Sequence, residues 1–348
     1  MNQTKKWTLK ALAEELGVSI ATMSNAFNRP DQLSKDLRQR LLDEALRLGY
    51  TGPSVAAASL RRGKTGVVGV LLTNNLSYTF TDNVAHQFFE GVSEVFEKHN
   101  LGLMILSSRA NEDQIAGMES FVDGFVIYGP PKKSVRERLA LQRKPIVTVD
   151  FDMEGHPSIN IDNYVSARNS ALCSIKDRSE EVAILGLRLF RSEHVCRFDQ
   201  DIEIKPKSIT IKRLNGFLDA LKQKSITISD DKIWNLPENN SKFAYKAAKE
   251  ALTTFPRPTL ILCMSDRIAI SVINCARELG ISVPSELRVT GFDDIPEAST
   301  VFPSLTTVRQ RSYDKGRIAA EIIIGERSRS QVILETEIIT RDSCPNFN

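Results

Sequence analysis

The chain has few of the features that mark membrane proteins, disulfide-rich secreted proteins or metalloenzymes. Apolar runs such as 67–72 and 260–264 have the length of strands and are too short to span a bilayer. The five cysteines form no C-x-x-C pair and the four histidines are scattered, so we expect reduced thiols, no metal and no cofactor. The start of the chain is polar and contains no apolar segment that would direct secretion. These absences indicate a cytoplasmic protein without a membrane partner.

Signatures of common enzyme classes are also absent. The sequence contains no G-x-S-x-G, no H-E-x-x-H and no dinucleotide-binding fingerprint. A G-K-T run at 63–65 resembles the end of a phosphate-binding loop, but that loop needs a glycine where Ala58 stands. We therefore expect a protein that is not an enzyme.

Positive charge is concentrated at the start of the chain. The 348 residues suit two or three domains, and 41% of them are hydrophobic, which is enough for sizeable cores. Residues 1–64 contain eleven Lys and Arg against six Asp and Glu, whereas the remainder has a net charge of −2. A small basic head on a near-neutral body is typical of a module that binds a polyanion such as DNA.

The basic head is predicted to form three short helices. Thr8, Ser19 and Ser34 can each cap a helix N-terminus, while Gly17 and Gly49 can end the first and third helices. This pattern predicts a helix-turn-helix, with a generic three-helix bundle as the alternative.

The second helix has distinct inner and outer faces. Val18, Met23 and Phe27 are expected to face the core. The side chains expected outside are small or polar and suit the major groove of DNA; they are Ile20, Ala21, Thr22, Ser24 and Asn25.

This segment resembles the headpiece of the lactose- and galactose-repressor family of bacterial transcriptional regulators. Met23 replaces a Val of the family pattern, and the matching residues are Thr8, Ala13, Gly17, Val18, Ser19, Thr22, Ser24 and Asn28. The resemblance implies that Ile20, Ala21 and Asn25 read bases. It also implies that four residues touch backbone phosphates or brace the motif: Ser19, Thr22, Ser24 and Asn28. Thr8 and Leu9 are further residues expected to contact DNA.

Asn25 departs from the family pattern. Many members have Arg at this position, and Arg suits guanine, whereas Asn can pair bidentately with adenine. We therefore expect a different half-site, although Asn25 contacting only phosphate is the alternative.

A short segment follows the third helix. Pro53 can begin a helix and Gly63 can end it, but the Ala and Ser residues between them bury little surface. The resemblance implies a hinge helix that folds on DNA and pairs with a dimer partner in the minor groove. Leu60 is then a wedge between base pairs, with Ala57 packed beside it. Many relatives have Arg where Ala58 stands, and a plain linker is the alternative.

The rest of the chain alternates predicted strands and helices. Strands are predicted at 67–72, 102–107, 124–128, 146–150, 182–185, 260–264 and 289–292. Helices are predicted near 83–99, 112–119, 133–143, 164–177, 213–224, 241–254 and 266–279. Two successive runs of this kind predict an α/β body of two lobes, each a parallel sheet flanked by helices, with a ligand between them.

This body resembles the periplasmic sugar-binding fold of the same family. The stretch 186–212 is an excursion to which we assign no role. The expected domains are a headpiece at 1–51, a hinge at 52–65, and a body at 66–348, with lobe 1 at 66–163 plus 312–326 and lobe 2 at 164–308 plus 327–348.

Short motifs in the body indicate candidate effector-binding residues. Arg213 lies in K-R-L-N-G-F, Asp293 in G-F-D-D and Gln310 in L-T-T-V-R-Q, all resembling family motifs at the cleft. Asp266 follows Ser265 in a similar turn, although it and Asp294 also suit helix caps. On lobe 1, the candidates after the first strand are Asn75, Tyr78, Phe80 and Asp82.

The resemblance implies a repressor whose affinity for DNA changes when a sugar-like effector binds. Its partners would be a second or further copies, as a homodimer or a tetramer, and a pseudo-palindromic operator with a central CG. Whether the effector releases DNA or is required for binding stays open. A solute-binding protein or an enzyme with an appended DNA-binding head is the alternative.

Overall fold

The computed structural model describes residues 7–52, 63–107, 117–198 and 208–346. The chain divides into two compact units. Unit 1 comprises Met1–Val67 with Met118–Asp123, and unit 2 comprises Val68–Gly117 with Gly124–Asn348. The predicted hinge, with Ala57 and Leu60, lies at 53–62, outside the described residues.

Unit 1 contains the three predicted helices. They are α1 (Leu9–Glu15), α2 (Ile20–Asn28) and α3 (Lys35–Arg47), with a 3-10 turn at Pro30–Gln32. Their cores meet at Leu12, Met23 and Leu41, which are almost fully buried. Gly17 connects α1 to α2 with a φ of 61°, a left-handed conformation that glycine adopts without strain. The predicted helix-turn-helix arrangement of helices is therefore present.

Lobe 1 of unit 2 is built on a six-stranded sheet. Its strands are β1 (Val67–Leu72), β2 (Gly102–Ser107), β3 (Phe125–Tyr128), β4 (Ile146–Val149), β5 (Ser158–Ile161) and β12 (Val332–Leu334). Its helices are α4 (Leu76–Thr79), α5 (Asn83–Lys98), α6 (Lys133–Leu141) and α12 (Ser312–Ile324). The strand order is β12-β5-β4-β3-β1-β2, and β1, β3, β4, β5 and β12 pair in parallel.

Lobe 2 is built on a five-stranded sheet. Its strands are β6 (Val182–Gly186), β7 (Cys196–Arg197), β8 (Ile233–Asn235), β9 (Leu260–Cys263) and β10 (Arg288–Thr290). Its helices are α7 (Asn163–Ser174), α8 (Ile209–Gln223), α9 (Ser241–Thr253), α10 (Asp266–Glu278) and α11 (Glu297–Thr300), with a 3-10 turn at Asp230–Lys232. The strand order is β10-β9-β6-β8-β7, and among these described strands only β7 runs antiparallel to its neighbour.

The predicted two-lobed α/β body is confirmed, with differences in detail. Helix α8 begins at Ile209 rather than at 213, and β5, β8 and α12 were not among the predicted elements. Of the helix predicted near 112–119, residues 112–116 lie outside the described residues.

The chain passes between the lobes three times, and the last passage corrects a predicted boundary. Residues 327–348 were assigned to lobe 2, but β12 within them completes the lobe 1 sheet beside β5. The chain then crosses, and β13 (Glu337–Ile339) pairs antiparallel with β11 (Thr307–Arg309). The apolar Val332 and Leu334 pack against the lobe 1 core, which explains why this strand joins that sheet.

Within the described ranges, no helix has the length and apolar character needed to cross a membrane.

Candidate functional site

The outer face of α2 carries the residues predicted to read DNA. Ile20 is 49% exposed and Ala21 is also exposed, whereas Met23 and Ala26 on the opposite face are fully buried. An isoleucine so exposed at the start of a helix is available for apolar contact with a partner. Asn25 is half-buried on the same helix. The arrangement leaves a narrow surface of small side chains, which suits a helix that enters a groove.

The other predicted headpiece residues brace the helices. The Ser19 hydroxyl accepts from the Thr22 amide at 2.9 Å and lies 2.8 Å from the Thr22 hydroxyl. The Asn28 side-chain amide donates to the Ser24 carbonyl at 3.0 Å. The Thr8 hydroxyl accepts from the Ala11 amide and so caps α1. These bonds hold the hydroxyls at fixed positions on the exposed side of unit 1.

Between the lobes of unit 2 lies a cavity of about 430 Å³. Both lobes contribute side chains at the carboxyl ends of strands, as expected for parallel α/β sheets. The predicted site residues that line it are Tyr78, Asp82, Arg213, Asp293 and Gln310.

Arg213 is buried on α8 and is held on several sides. Its Nε donates to Asn163 Oδ1 at 2.9 Å, and its guanidinium also donates to the Met264 carbonyl at 2.6 Å. The guanidinium carbon lies 3.5 Å from the centre of the Phe292 ring, and one terminal nitrogen is 3.6 Å from Asp293 Oδ1. Burial lowers the pKa of Arg213, and the charge of Asp293 opposes that change. Arg213 therefore presents only part of its hydrogen-bonding capacity to the cavity.

Asp293 follows β10 and links to lobe 1 through Gln310. Gln310 Nε2 donates to Asp293 Oδ1 at 2.7 Å. Gln310 Oε1 accepts from the Lys315 ammonium at 2.9 Å, and that ammonium also donates to Asp150 Oδ1 at 2.6 Å. Burial raises the pKa of Asp293 well above its usual value, an effect that the charges of Arg213 and Lys315 oppose.

The wall from lobe 1 carries Tyr78 and Asp82. Burial raises the pKa of both side chains, and the positive charge of Arg267 from lobe 2 opposes each shift. Arg267 donates to the Thr81 carbonyl, and Asn83 donates to Glu297 at 2.6 Å. These last two hydrogen bonds join the lobes directly next to Asp82.

Three predicted residues, Asn75, Phe80 and Asp266, do not line the cavity. Phe80 is 57% exposed, because Tyr78 and Asp82 take the inward positions of this short segment and Phe80 between them turns outward. Asp266 is fully buried behind the site, where it accepts from the Thr307 hydroxyl and, at 2.9 Å, from the Ile295 amide. Burial raises the pKa of Asp266 to about 7. Its geometry is that of a structural brace.

Several residues that line the cavity were not predicted from the sequence. Asp150 follows β4 and has a φ of 64°, a signal readable only in the structure. Arg188 comes from the 186–212 excursion, whose first part packs through Asn235, which accepts from the Leu189 amide at 2.8 Å. The remaining polar or aromatic lining residues that we did not predict are Thr73, Asn74, Thr79, Tyr128 and Asn239. Their common signal is a position at the end of a strand or next to a helix cap.

The charges around the cavity balance one another. Asp82, Asp150 and Asp293 face the cations Arg188 and Arg213, and Lys315 lies behind Asp150. Such a site offers many acceptors, a few donors and the aromatic rings of Tyr78 and Tyr128, but no surplus charge. This chemistry suits an uncharged, polyhydroxylated ligand.

Comparison with known proteins agrees with this geometry. A family model described as a periplasmic binding protein-like domain matches residues 194–344. A helix-turn-helix transcriptional regulator of Mycobacterium tuberculosis is 37% identical over 346 residues, which are 96% of both chains.

Solved structures of regulators share the fold. A LacI (lactose repressor) family protein from Corynebacterium glutamicum has a TM-score of 0.66 at 28% identity, with both chains fully covered. A regulator crystallised with cellobiose also has a TM-score of 0.66, at 21% identity, and the match covers 97% of this chain and 100% of the other.

Proposed function

Because the chain belongs to the lactose-repressor family of helix-turn-helix transcriptional regulators, we propose that an uncharged polyhydroxylated effector, bound between its lobes, switches its affinity for an operator. The observation that carries this proposal is the cavity itself. Its polar groups come from both lobes, so a ligand that contacts Asp150 and Asp293 together interacts more strongly with the closed cleft than with an open one. A ligand changes a conformational equilibrium only through such a difference.

The class of effector follows from charge. An anionic ligand would face the carboxylates of Asp82, Asp150 and Asp293. Arg213 already donates to Asn163 and Met264, and Lys315 is paired with Asp150, so among the described cations at the cavity the exposed Arg188 would have to hold the negative charge. A cationic ligand would need a carboxylate without a cation nearby, whereas Arg213 faces Asp293 and Lys315 is paired with Asp150. The positive charge of Arg267 acts on Asp82. Pairs of hydroxyl groups can use the remaining lone pairs of the carboxylates without disturbing this balance. The related regulator solved with cellobiose supports a sugar-like molecule.

On the DNA side, Ile20, Ala21 and Asn25 would contact base edges while Ser19 and Thr22 contact phosphates. A dimer, as the simplest assembly, would place two headpieces on inverted half-sites, since each helix-turn-helix reads one half. Leu60 of the hinge would act at the centre, for which we propose a CG step. We place the protein in the cytoplasm, where its operator is.

Two experiments test this function. The full chain is used to select binding sites from a random DNA pool, and a thermal-shift screen is run with sugars, polyols, sugar phosphates and nucleosides. We expect a pseudo-palindromic site whose affinity drops steeply between 50 and 200 mM salt, on the order of 10³-fold or more for six or more phosphate contacts. We also expect stabilisation by an uncharged polyol and none by its phosphate ester. A flat salt dependence, or stabilisation by anions alone, contradicts the proposal.

A further inference from the structure

Lys315 is a charged side chain that is almost fully buried in unit 2. It lies in the first turns of α12, is 1% exposed, and is among the largest fully buried side chains of the described chain. Lysine is rarely buried so completely unless it is paired, since moving an ammonium out of water is costly. Its partners are Asp150 Oδ1 at 2.6 Å and Gln310 Oε1 at 2.9 Å.

The backbone around Lys315 has little room to move. A side chain at the adjacent Gly316 would lie 2.0 Å from the Phe88 carbonyl oxygen, and one at Gly91 would lie 2.1 Å from the Tyr313 carbonyl oxygen. Helices α5 and α12 therefore meet backbone to backbone on both sides of Lys315. The close packing of these two helices therefore fixes the backbone from which the Lys315 side chain extends.

The ammonium and the Asp293 carboxylate favour the same orientation of the Gln310 amide. The Lys315 ammonium can only donate hydrogen bonds, so the Gln310 side-chain atom that faces it must be the amide oxygen. The amide nitrogen is thereby turned to Asp293 Oδ1, 2.7 Å away. The Asp293 carboxylate, whose oxygens only accept, favours the same orientation from the other side, so the two charged groups hold the amide between them.

A continuous chain of polar contacts follows from this orientation. It runs from Asp150 in lobe 1 through Lys315 and Gln310 to Asp293 in lobe 2, and from there to Arg213. Arg213 also donates to Asn163, which lies where the chain passes from β5 of lobe 1 to α7 of lobe 2. Gln310 itself lies in the passage between β11 and α12. The floor of the cleft is thus a single network that spans both lobes.

From this network we infer that Lys315 is a positioning residue of the cleft, which holds the acceptors Asp150 and Asp293 in fixed register across the two lobes. The inference deepens the proposed function, because it rests on the cleft being the effector site. Lys315 lies behind Asp150 and acts through its neighbours. Its removal should therefore loosen the ligand-binding edge of lobe 2 as well as its own lobe.

The test is hydrogen–deuterium exchange of the full chain without operator or effector. Three proteins are compared with wild type: Lys315→Met, the double variant Lys315→Met/Asp150→Asn, and the matched control Lys246→Met on the exposed face of α9. The double variant leaves no unpaired buried charge, so it remains informative if Lys315→Met fails to fold. Thermal unfolding of each protein establishes which variants match the stability of wild type.

We expect amides of 291–295 in lobe 2 to exchange about tenfold faster in both Lys315 variants, as is typical of coupled residues in one network. Amides of α9, in the same lobe but away from the network, should keep wild-type rates. The control should show no change in either segment.

Faster exchange confined to lobe 1, around Asp150 and α12, would overturn the inference and reduce Lys315 to a local structural role. Unchanged exchange throughout would overturn it as well. Neither result changes the outcome of operator selection or of the effector screen. Failure of this inference can therefore be distinguished from failure of the proposed function.

Discussion

The change Asp293→Asn separates effector binding from folding better than removal of Arg213 does. Asp293 Oδ1 accepts from Gln310 and faces Arg213, which leaves Oδ2 for a ligand. In the Asp293→Asn variant, the side-chain amide oxygen should keep the place beside those donors, so that the amide nitrogen takes the place of Oδ2. An acceptor in the cavity thereby becomes a donor, while the shape of the side chain is preserved.

The magnitude follows from the hydrogen bond that is lost. A bond to a charged group contributes about 1.5–3 kcal/mol, which corresponds to roughly 10- to 150-fold in affinity. We expect the effector concentration for half-maximal response to rise by this factor. Operator affinity without effector should stay within about twofold, since the headpiece is unchanged. Stability should fall by less than in Arg213→Ala, because the amide keeps the shape of the side chain and the hydrogen bond from Gln310, although the buried Arg213 loses the charge that it faces.

Fluorescence anisotropy of a labelled operator, titrated with the compound found in the thermal-shift screen, measures this response, and calorimetry measures the binding. Asp266→Asn is the matched control, because it makes the same chemical change at a buried aspartate that does not line the cavity. A wild-type response in Asp293→Asn would refute the assignment. Arg213→Ala is less informative, since it leaves Asp293 buried beside an empty space and should cost about 3–5 kcal/mol of stability.

Three further predictions concern other parts of the chain. Asn25→Arg should move one position of each half-site towards guanine in a random-pool selection, and an unchanged consensus would place Asn25 on the backbone. Leu60→Ala should weaken binding to the operator more than to random DNA, and equal losses would exclude a wedge between bases. The pKa of Asp266, raised to about 7, means that the folded chain retains a proton that the unfolded chain releases. The thermal midpoint of wild type should therefore fall, relative to Asp266→Asn, as pH rises from about 4 to about 7, and parallel curves would contradict this.

The headpiece was predictable from the sequence because its signals are local. Thr8, Ser19 and Ser34 cap the three helices as expected, and each does so through its own hydroxyl within three residues. Gly17 occupies the left-handed conformation that the turn requires. Caps and turns of this kind depend on neighbouring residues alone.

The effector cleft was only partly predictable because it is assembled over long distances in the chain. Arg213 and Asp293 were found through short motifs that resemble those of the family. Asp150 and Lys315 are 165 residues apart and acquire a role only when β4 and α12 pack together. No period or spacing in the sequence reveals that contact.

Short segments at the cleft were the least predictable. The prediction for the residues after β1 named both Tyr78 and Phe80, yet only Tyr78 of the two lines the cavity. In a helix of four residues, a shift of one position along the chain changes which side chains face the cavity. For β12, three residues are too few for a periodic signal, so its place in the lobe 1 sheet depends on the exposed edge of β5.

Coupling between the cleft and the headpiece is measured as the affinity for the selected operator with and without the compound that stabilises the protein in the thermal-shift screen. The claim that occupancy of the cleft switches DNA binding predicts a change of roughly 5- to 150-fold, the usual range for coupling between two sites. The change is expected in wild type and should be shifted to higher concentration in Asp293→Asn. If the compound binds by calorimetry and operator affinity does not move, the two sites are not coupled and the proposed switch is contradicted.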